Sequence, residues 1–422
     1  MNSKIHSIKT VCILFIWLML LSISCAIGKE SDQAVDLPGK HQIRMDSFNI
    51  EKLGRDDPYQ TVNVAVILKN YDIVAVQEVM NIGATGANNQ RGAKGIRALR
   101  QIVADLDVDW DLVLSSEPNG TENAEITGNF HTFEYYAFIF RKSKIELIPN
   151  SAFLWDEEAN PILGLEDQER QFDREPFIAS FKIKDGMLDF TLITFHAASP
   201  SARWRKDEIE RLGFVYENVQ RSDPNQHDVF LLGDFNTAVD KKEWKVLKGL
   251  PTIKHILTSL DKTTIYKAEG RPSKNQYDTI WYQGFASDED IIVETAQVHP
   301  AWEEEDLVWP ADISPPARIS TPENKLIWFY GKYVSDHLPI TVVLYTDKDT
   351  DNFGNTLSFL GELMPASEDI ARVIVVIVCI VVLVCLLRFI PALSDALLSI
   401  LSFPLALLAY GIAMLIRRSS RR

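Results

Sequence analysis

Between residues 41 and 346, short apolar runs end one after another in a carboxylate, a carboxamide or an imidazole, and this recurrence constrains the fold more than any other feature of the chain. "VFLLGDFN", Val229 to Asn236, is the plainest case. An apolar run without alternation reads as a strand covered on both faces. Gly-Asp-Phe-Asn is turn chemistry, because Gly and Asn accept positive φ and Asp closes Asx-type turns. Taken alone, the tetrapeptide reads as a turn or as part of a site. "HQIRMDSFNI", "DIVAVQEV", "YYAFIFRK", "DFTLITFHA", "YDTIWYQG" and "ITVVLYT" also read as strands from their β-branched and aromatic content. Ile96, Leu99, Ile102, Val103 and Leu106 keep helical spacing, as do Ile209, Leu212, Tyr216 and Val219. Strands alternating with helices specify an α/β domain. The stretch "NIGATGANNQRGAKG" and the Pro-rich, acidic stretch from Pro300 to Lys332 read as long loops of the functional kind.

Charge narrows the function classes. The 41–346 region holds 32 Lys and Arg against 48 Asp and Glu, a net of −16. Binding of polyanions by bulk attraction is therefore excluded, since it rests on phosphate neutralisation by Lys and Arg. An enzyme that grips phosphate locally, through a metal and one or two arginines, is not. Cys12, Cys25, Cys379 and Cys385 all lie in the apolar ends, so 41–346 is expected to form without a disulfide.

The ends read as membrane-directed. Lys4 and Lys9 precede the apolar run Val11 to Ile23 and the small residues of "SISCAIG", so 1–27 reads as a signal peptide or signal anchor, with lipidation at Cys25 as a further alternative. A linker, 347–370, leads to Val373–Leu387, flanked by Arg372 and Arg388, and then to Ala396–Ile416, interrupted by Pro404. We expect one or two membrane-associated helices over 371–416, with one true span at 371–390, then the basic tail 417–422. The expected location is a membrane, with the middle region exported to the periplasmic or extracellular face. A buried hydrophobic hairpin of a soluble domain is the alternative for the C-terminal runs.

The polar strand ends can be taken together. Asn49 closes the first strand, Glu78 the second, His196 "DFTLITFHA", and Asp234 and Asn236 "VFLLGDFN", while Ser335, Asp336 and His337 precede the last. Singly each reads as a cap, a turn residue or a solvated end. Together, oxygen ligands converging from several strands are what a hard cation such as Mg²⁺ requires, and such a cation sits beside phosphate. The histidines supply proton transfer near neutrality.

"FNI", "QEV", "EYYAFIFR", "REP", "FHAASP", "GDFN", "YDTI" and "SDHLP", in that order over 41–346, resemble the endonuclease/exonuclease/phosphatase superfamily, and within it the deoxyribonuclease I branch. The resemblance implies a four-layer sandwich, two β-sheets flanked by helices, with the site at one rim of the strands. It also implies roles. Glu78, helped by Asn49 and with Asp336, would hold the metal, Mg²⁺ with Mn²⁺ or Ca²⁺ as alternatives. Asp234 would orient or deprotonate water; Asn236 and Asn49 would complete the phosphate environment, and Arg174 would contact the phosphate. His196 would pair with Glu134 and His337 with Asp278, on opposite sides of the scissile phosphate. The Glu134–His196 pair is the mark of the deoxyribonuclease I branch. Two positions depart from that branch: Met80 and Thr132 stand where its members carry a groove-reading Arg and Tyr, and its disulfide is missing. Arg91 and Lys94 of the Gly/Asn-rich loop are candidates to replace those contacts. The expected function is a membrane-anchored, exported, metal-dependent endonuclease hydrolysing DNA. The alternatives are a phospholipid-headgroup phosphodiesterase or phosphatase, and a non-catalytic scaffold. No protein partner is legible.

Overall fold

A computed structural model describes residues 42–55, 57–81, 93–120, 133–156, 172–197, 202–222, 228–283 and 291–346. The signal segment, the linker, the C-terminal apolar runs, Arg91 and Thr132 lie outside the described residues. Among the described residues no helix is long and apolar enough to cross a membrane.

The strands are β1 (Gln42–Leu53), β2 (Ile73–Met80), β3 (Trp110–Leu114), β4 (Glu134–Arg141), β5 (Ile145–Leu147), β6 (Phe153–Leu154), β7 (Phe177–Ile183), β8 (Asp189–His196), β9 (Val229–Asp234), β10 (Ile253–His255), β11 (Ile265–Tyr266), β12 (Arg271–Pro272), β13 (Asp278–Gln283), β14 (Ile291–Val298) and β15 (Ile340–Tyr345). The principal helices are α1 (Pro58–Leu68), α2 (Lys94–Leu106), α3 (Ala202–Ser222) and α4 (Pro322–Tyr333). One sheet runs β14-β15-β1-β2-β4-β3 and the other β10-β13-β9-β8-β7-β5, with β6 beside β7; β11 and β12 form a separate hairpin. Each large sheet is antiparallel except for one central parallel pair, β1 with β2 and β8 with β9.

The apolar runs explain the layering. Phe230 and Leu232 of β9 enter the core between the sheets with Met45, Ala75, Phe138, Phe181 and Leu192, whereas Val229 and Leu231 face Ile209, Leu212 and Tyr216 of α3. A strand covered on both faces needs apolar residues without alternation. Phe48, Val74, Val76 and Ile139 face α1, α2 and α4 on the other outer side. Helix, sheet, sheet, helix is the expected four-layer order.

Two expectations are corrected. Pro300 to Lys332 is not one long loop, because α4 begins inside it, capped by Thr321, whose side chain accepts from the Asn324 N–H, and started by Pro322. Ahead of α4, Asn63 holds Val308 through both its backbone groups, at 2.7 and 3.0 Å. The first strand does not end at Asn49 either; β1 continues to Leu53 through an irregular stretch.

Candidate active site

That irregular stretch begins the site. Asn49 pairs with Gln77 and Leu53 with Val79, so three residues of β1 face the single residue Glu78 of β2. Glu51, Lys52 and Glu78 all take positive φ, 53°, 52° and 62°. Side chains other than Gly avoid this region, and such strain, about 1–3 kcal/mol per residue, persists where surrounding structure enforces it. Here it re-aims side chains. The Lys52 N–H donates to Glu78 Oε2 at 2.9 Å, and Asn49 Nδ2 donates to Glu78 Oε1 at 3.0 Å and to Asp234 Oδ2 at 3.1 Å. Asn49 Oδ1 accepts from the Glu51 N–H at 2.9 Å. As oriented, Asn49 therefore clamps two carboxylates with its amide nitrogen, and its oxygen is held by the backbone.

The "GDFN" motif is both of its readings at once. The Asn236 N–H donates to Asp234 Oδ1 at 2.9 Å, an Asx turn, with Asn236 at φ 48°. Gly233 has φ 147°, and a Cβ there would lie 1.9 Å from the Phe195 carbonyl oxygen, so only glycine lets β9 approach β8 this closely. That approach sets Asp234 beside His196, its partner in the β8–β9 register. Asn236 Nδ2 donates to Ala197 O at 3.1 Å.

Two imidazoles face the same oxygen. His196 Nε2 lies 3.5 Å from Asp234 Oδ2 and His337 Nε2 lies 3.4 Å from it. Behind each ring stands a carboxylate. His196 Nδ1 is 2.9 and 3.1 Å from the two oxygens of Glu134, and His337 Nδ1 is 2.9 and 3.1 Å from those of Asp278. An Nδ1 that donates to a carboxylate fixes the tautomer and leaves Nε2 for chemistry. Burial pulls the His196 pKa down, but Glu134 and Asp234 together outweigh it and the net direction is up. His337 is likewise opposed by burial, yet Asp278 and Asp234 hold its pKa well above the ordinary value. Burial, with Asp234 adding to it, pushes Asp278 up to about 6 against the pull of His337. Burial also raises Asp234, but the two imidazoles and the Asn236 N–H more than reverse this, and its pKa falls.

The metal, phosphate and proton-transfer residues chosen from the sequence, from Asn49 to His337, lie at one rim, but two of them face partners other than those expected. Arg174 is only 5% exposed. Its Nε donates to His196 O at 3.1 Å and its Nη2 to Ala197 O at 3.4 Å, with Glu134 at 3.8 Å and Asp173 at 3.7 Å. Its charge sits behind the Glu134–His196 pair instead of standing out on the cleft surface, which corrects the expected role of a phosphate contact reached from the open side. Asp336, whose side chain is 37% exposed, lies 3.4 Å from Lys267 Nζ. Met80 is 6% exposed and pairs with Glu134 across the β2–β4 ladder, so it offers no surface to a substrate.

Sequence reasoning missed Glu51, Lys267, Ser335 as a bridge, and Tyr136. Ser335 Oγ donates to Asn49 O at 2.7 Å and accepts from the His337 N–H at 3.0 Å, tying β1 to the His337 segment. Tyr136 accepts from the His196 N–H at 3.1 Å. Glu51 follows "FNI" directly, so an acid at that place was the available signal. Lys267 had none, because it reaches the cleft from a hairpin remote in sequence.

The donor set suits a hard cation. Glu78, Asp234, Glu51 and Asp336 bring carboxylates to one cleft, and Glu51 Oε2, buried, has no hydrogen-bond partner. Asp234, Asp278 and His337 also place ligand atoms within 4.8 Å of one another. Ligation by His337 Nδ1 would break its bonds to Asp278, and ligation by Nε2 would occupy the nitrogen left for chemistry, so the Glu78 and Asp234 side of the cleft is the better seat.

The model of the Endonuclease/Exonuclease/phosphatase family matches residues 47–337. A protein named deoxyribonuclease from Thioalkalivibrio sp. (strain K90mix) is 26% identical over 242 residues, 57% of this chain and 57% of that one. The endonuclease/exonuclease/phosphatase family domain-containing protein 1 of Xenopus laevis is 21% identical over 336 residues, 74% of this chain and 51% of that one. The matches thus span little more than half the length of these curated relatives. Among solved structures, a family protein from Bacteroides thetaiotaomicron aligns with a TM-score of 0.44 at 15% identity, covering 73% of this chain and 98% of that one. From the strand-rim carboxylates, the two braced imidazoles and the match over 47–337, the chain belongs to the endonuclease/exonuclease/phosphatase family, whose members are divalent-metal-dependent hydrolases of phosphate esters.

Proposed function

We propose that this chain is a metal-dependent phosphodiesterase that nicks DNA, with His196 and His337 as its proton-transfer groups. The observation that carries this reading is the approach of both Nε2 atoms to one oxygen of Asp234, each ring braced by its own buried carboxylate. In-line displacement at phosphorus needs a proton taken from water on one side and given to the leaving oxygen on the other. Two imidazoles flanking a common point meet that need. Asp234, ionised and held by Asn49 and Asn236, orients the water between them. A bound Mg²⁺ or Mn²⁺, held by Glu78 with Asp234 beside it, would supply charge neutralisation on the phosphate oxygens.

DNA is favoured over other diesters by three supports. The relative named deoxyribonuclease is one. The Glu134–His196 pair, the mark of the deoxyribonuclease I branch, is another. The third is a groove of about 600 Å³ bordered by Asn236 and Tyr277, where Arg205, Lys206, Lys241 and Lys274 outnumber Asp240 and Glu243. In a domain of net −16, this is a local place for backbone phosphates. Export and membrane anchoring through the terminal apolar runs are proposed from the sequence alone. Recovery of the full chain in the soluble fraction after cell lysis would count against them.

The test offers a 41–346 fragment supercoiled plasmid, single-stranded DNA, RNA and phospholipid vesicles, each with Mg²⁺ or Mn²⁺ and with His196→Ala as control. Nicked plasmid, inhibited by added salt, is the expected result. Headgroup release with intact nucleic acid would replace DNA by lipid as the substrate, and inertness on all four would favour a scaffold.

A further inference from the structure

Lys267 is not part of any strand-end motif, yet the fold builds a place for it. The Ile265 N–H donates to Asp336 O at 2.9 Å and the Leu338 N–H to Thr263 O at 2.8 Å, so the chain entering the β11–β12 hairpin is tied to the segment carrying Asp336 and His337. Thr264 and His337 form a bridge between them. Gly331 of α4 gives the lysine stem its path: a Cβ there would stand 3.0 Å from Lys267 Cγ. The stem delivers the ammonium between two acids. Lys267 Nζ hydrogen-bonds Glu51 Oε1 and lies 3.4 Å from Asp336 Oδ2. Glu51 is 7% exposed, and its other oxygen, without a hydrogen bond, has Arg55 Nη1 at 3.6 Å.

We propose that Lys267 is the resident cation of the Glu51–Asp336 corner, and that by filling it the lysine limits the cleft to one divalent ion, seated at Glu78. This rests on the metal-dependent reading above. Two carboxylates brought to one point, one of them with a buried oxygen that makes no hydrogen bond, are the beginnings of a second divalent site. An ammonium is a compact point charge with three donors, so it can satisfy both acids and leave no room for a further cation. Asp336 then answers to Lys267 and not to the metal.

The experiment counts Mn²⁺ bound to the full chain, purified in detergent, by electron paramagnetic resonance of free Mn²⁺. Thermal melting of each variant is recorded alongside. Wild type and Lys267→Arg should bind one ion per chain and Lys267→Met two, with Lys267→Met combined with Glu51→Gln returning to one. A second measurement does not depend on those variants folding. Asp336→Asn should change Mn²⁺ affinity by less than about threefold, the scale of a screened rim charge. A loss of about tenfold or more, as for a lost ligand or its direct support, would make Asp336 a ligand and overturn the proposal. Two ions on the wild type, or one on a folded Lys267→Met, would also overturn it. No ion on the wild type would instead remove the metal-dependent reading itself.

Discussion

Glu134–His196 and Asp278–His337 have the same hydrogen-bond geometry, 2.9 and 3.1 Å from Nδ1 to the two carboxylate oxygens, but different surroundings. Arg174 stands 3.8 Å from Glu134. Burial raises the Glu134 pKa, but His196 and that guanidinium overcome it, so Glu134 stays ionised below its ordinary value. The same guanidinium opposes the proton on His196. Around His337 the charges are acidic: Asp278, Asp234 and Asp336 all favour its proton. The second pair therefore keeps a proton more firmly than the first. Identical bonding geometry does not set proton affinity; the next charge outward does. Under the proposed function, this difference would make His337 the group that protonates a leaving oxygen and His196 the one that accepts a proton from water.

The largest expected effects come from removing either ring. His196→Ala and His337→Ala should each lower turnover by about 10²–10⁴ while the domain stays folded, measured as initial rates with thermal melting alongside. Wild-type rates in both would dissolve the comparison. Next comes Arg174→Gln, which makes the first pair resemble the second. It removes the buried guanidinium beside Glu134 and Asp173 and its bonds to His196 O and Ala197 O, and should cost about 3–5 kcal/mol in denaturant unfolding, while the His196 pKa rises toward that of His337. An unchanged His196 titration, followed by NMR of its ring protons, would show that Arg174 has no part in the difference.

Glu134→Gln should move His196 the other way. Burial and Arg174 both lower its pKa once the carboxylate is gone. Its ring should then titrate lower than in the wild type, with Asp234 alone still favouring the proton, and a titration that stays high would assign the shift to that group. The smallest effect is on the pH dependence of stability. Both histidines have folded pKa values above the unfolded one, so their contribution is complete below about pH 6.5 and is lost as pH rises through the folded values. Glu134, with its pKa depressed, contributes above about pH 4.5 and loses that contribution as pH falls. Melting temperatures of wild type and His337→Ala should therefore converge on the alkaline side.

The sequence carried the layers and the rim because both rest on local signals. Unalternated runs such as Val229–Leu232 announce strands covered on two faces, and polar residues at their ends announce the rim. α1 was not legible: "PYQTVNVAVIL" is rich in β-branched residues, and its helix depends on Asp57 capping the Tyr59 N–H, on Pro58 at its start and on the core beneath it. β7 and β14 also went unread, β14 being a half-exposed edge strand without a clean apolar pattern. Within the site, residue types at strand ends could be chosen in advance, but orientation could not. Arg174 looks like a phosphate ligand by type, and its bonds to His196 O and Ala197 O are a matter of three-dimensional reach. Lys267 is the clearest such case, since its place depends on a hairpin held against the segment before β15.

The most direct test uses a generic phosphodiester, so that substrate recognition does not enter. The rate of hydrolysis of bis(p-nitrophenyl) phosphate is followed with the 41–346 fragment in Mg²⁺ or Mn²⁺, in excess chelator, and with Glu78→Gln. Metal-dependent hydrolysis that stops in chelator and falls by about 10² or more in Glu78→Gln is the result this account expects. A rate that persists in excess chelator, or that Glu78→Gln leaves intact, would contradict it.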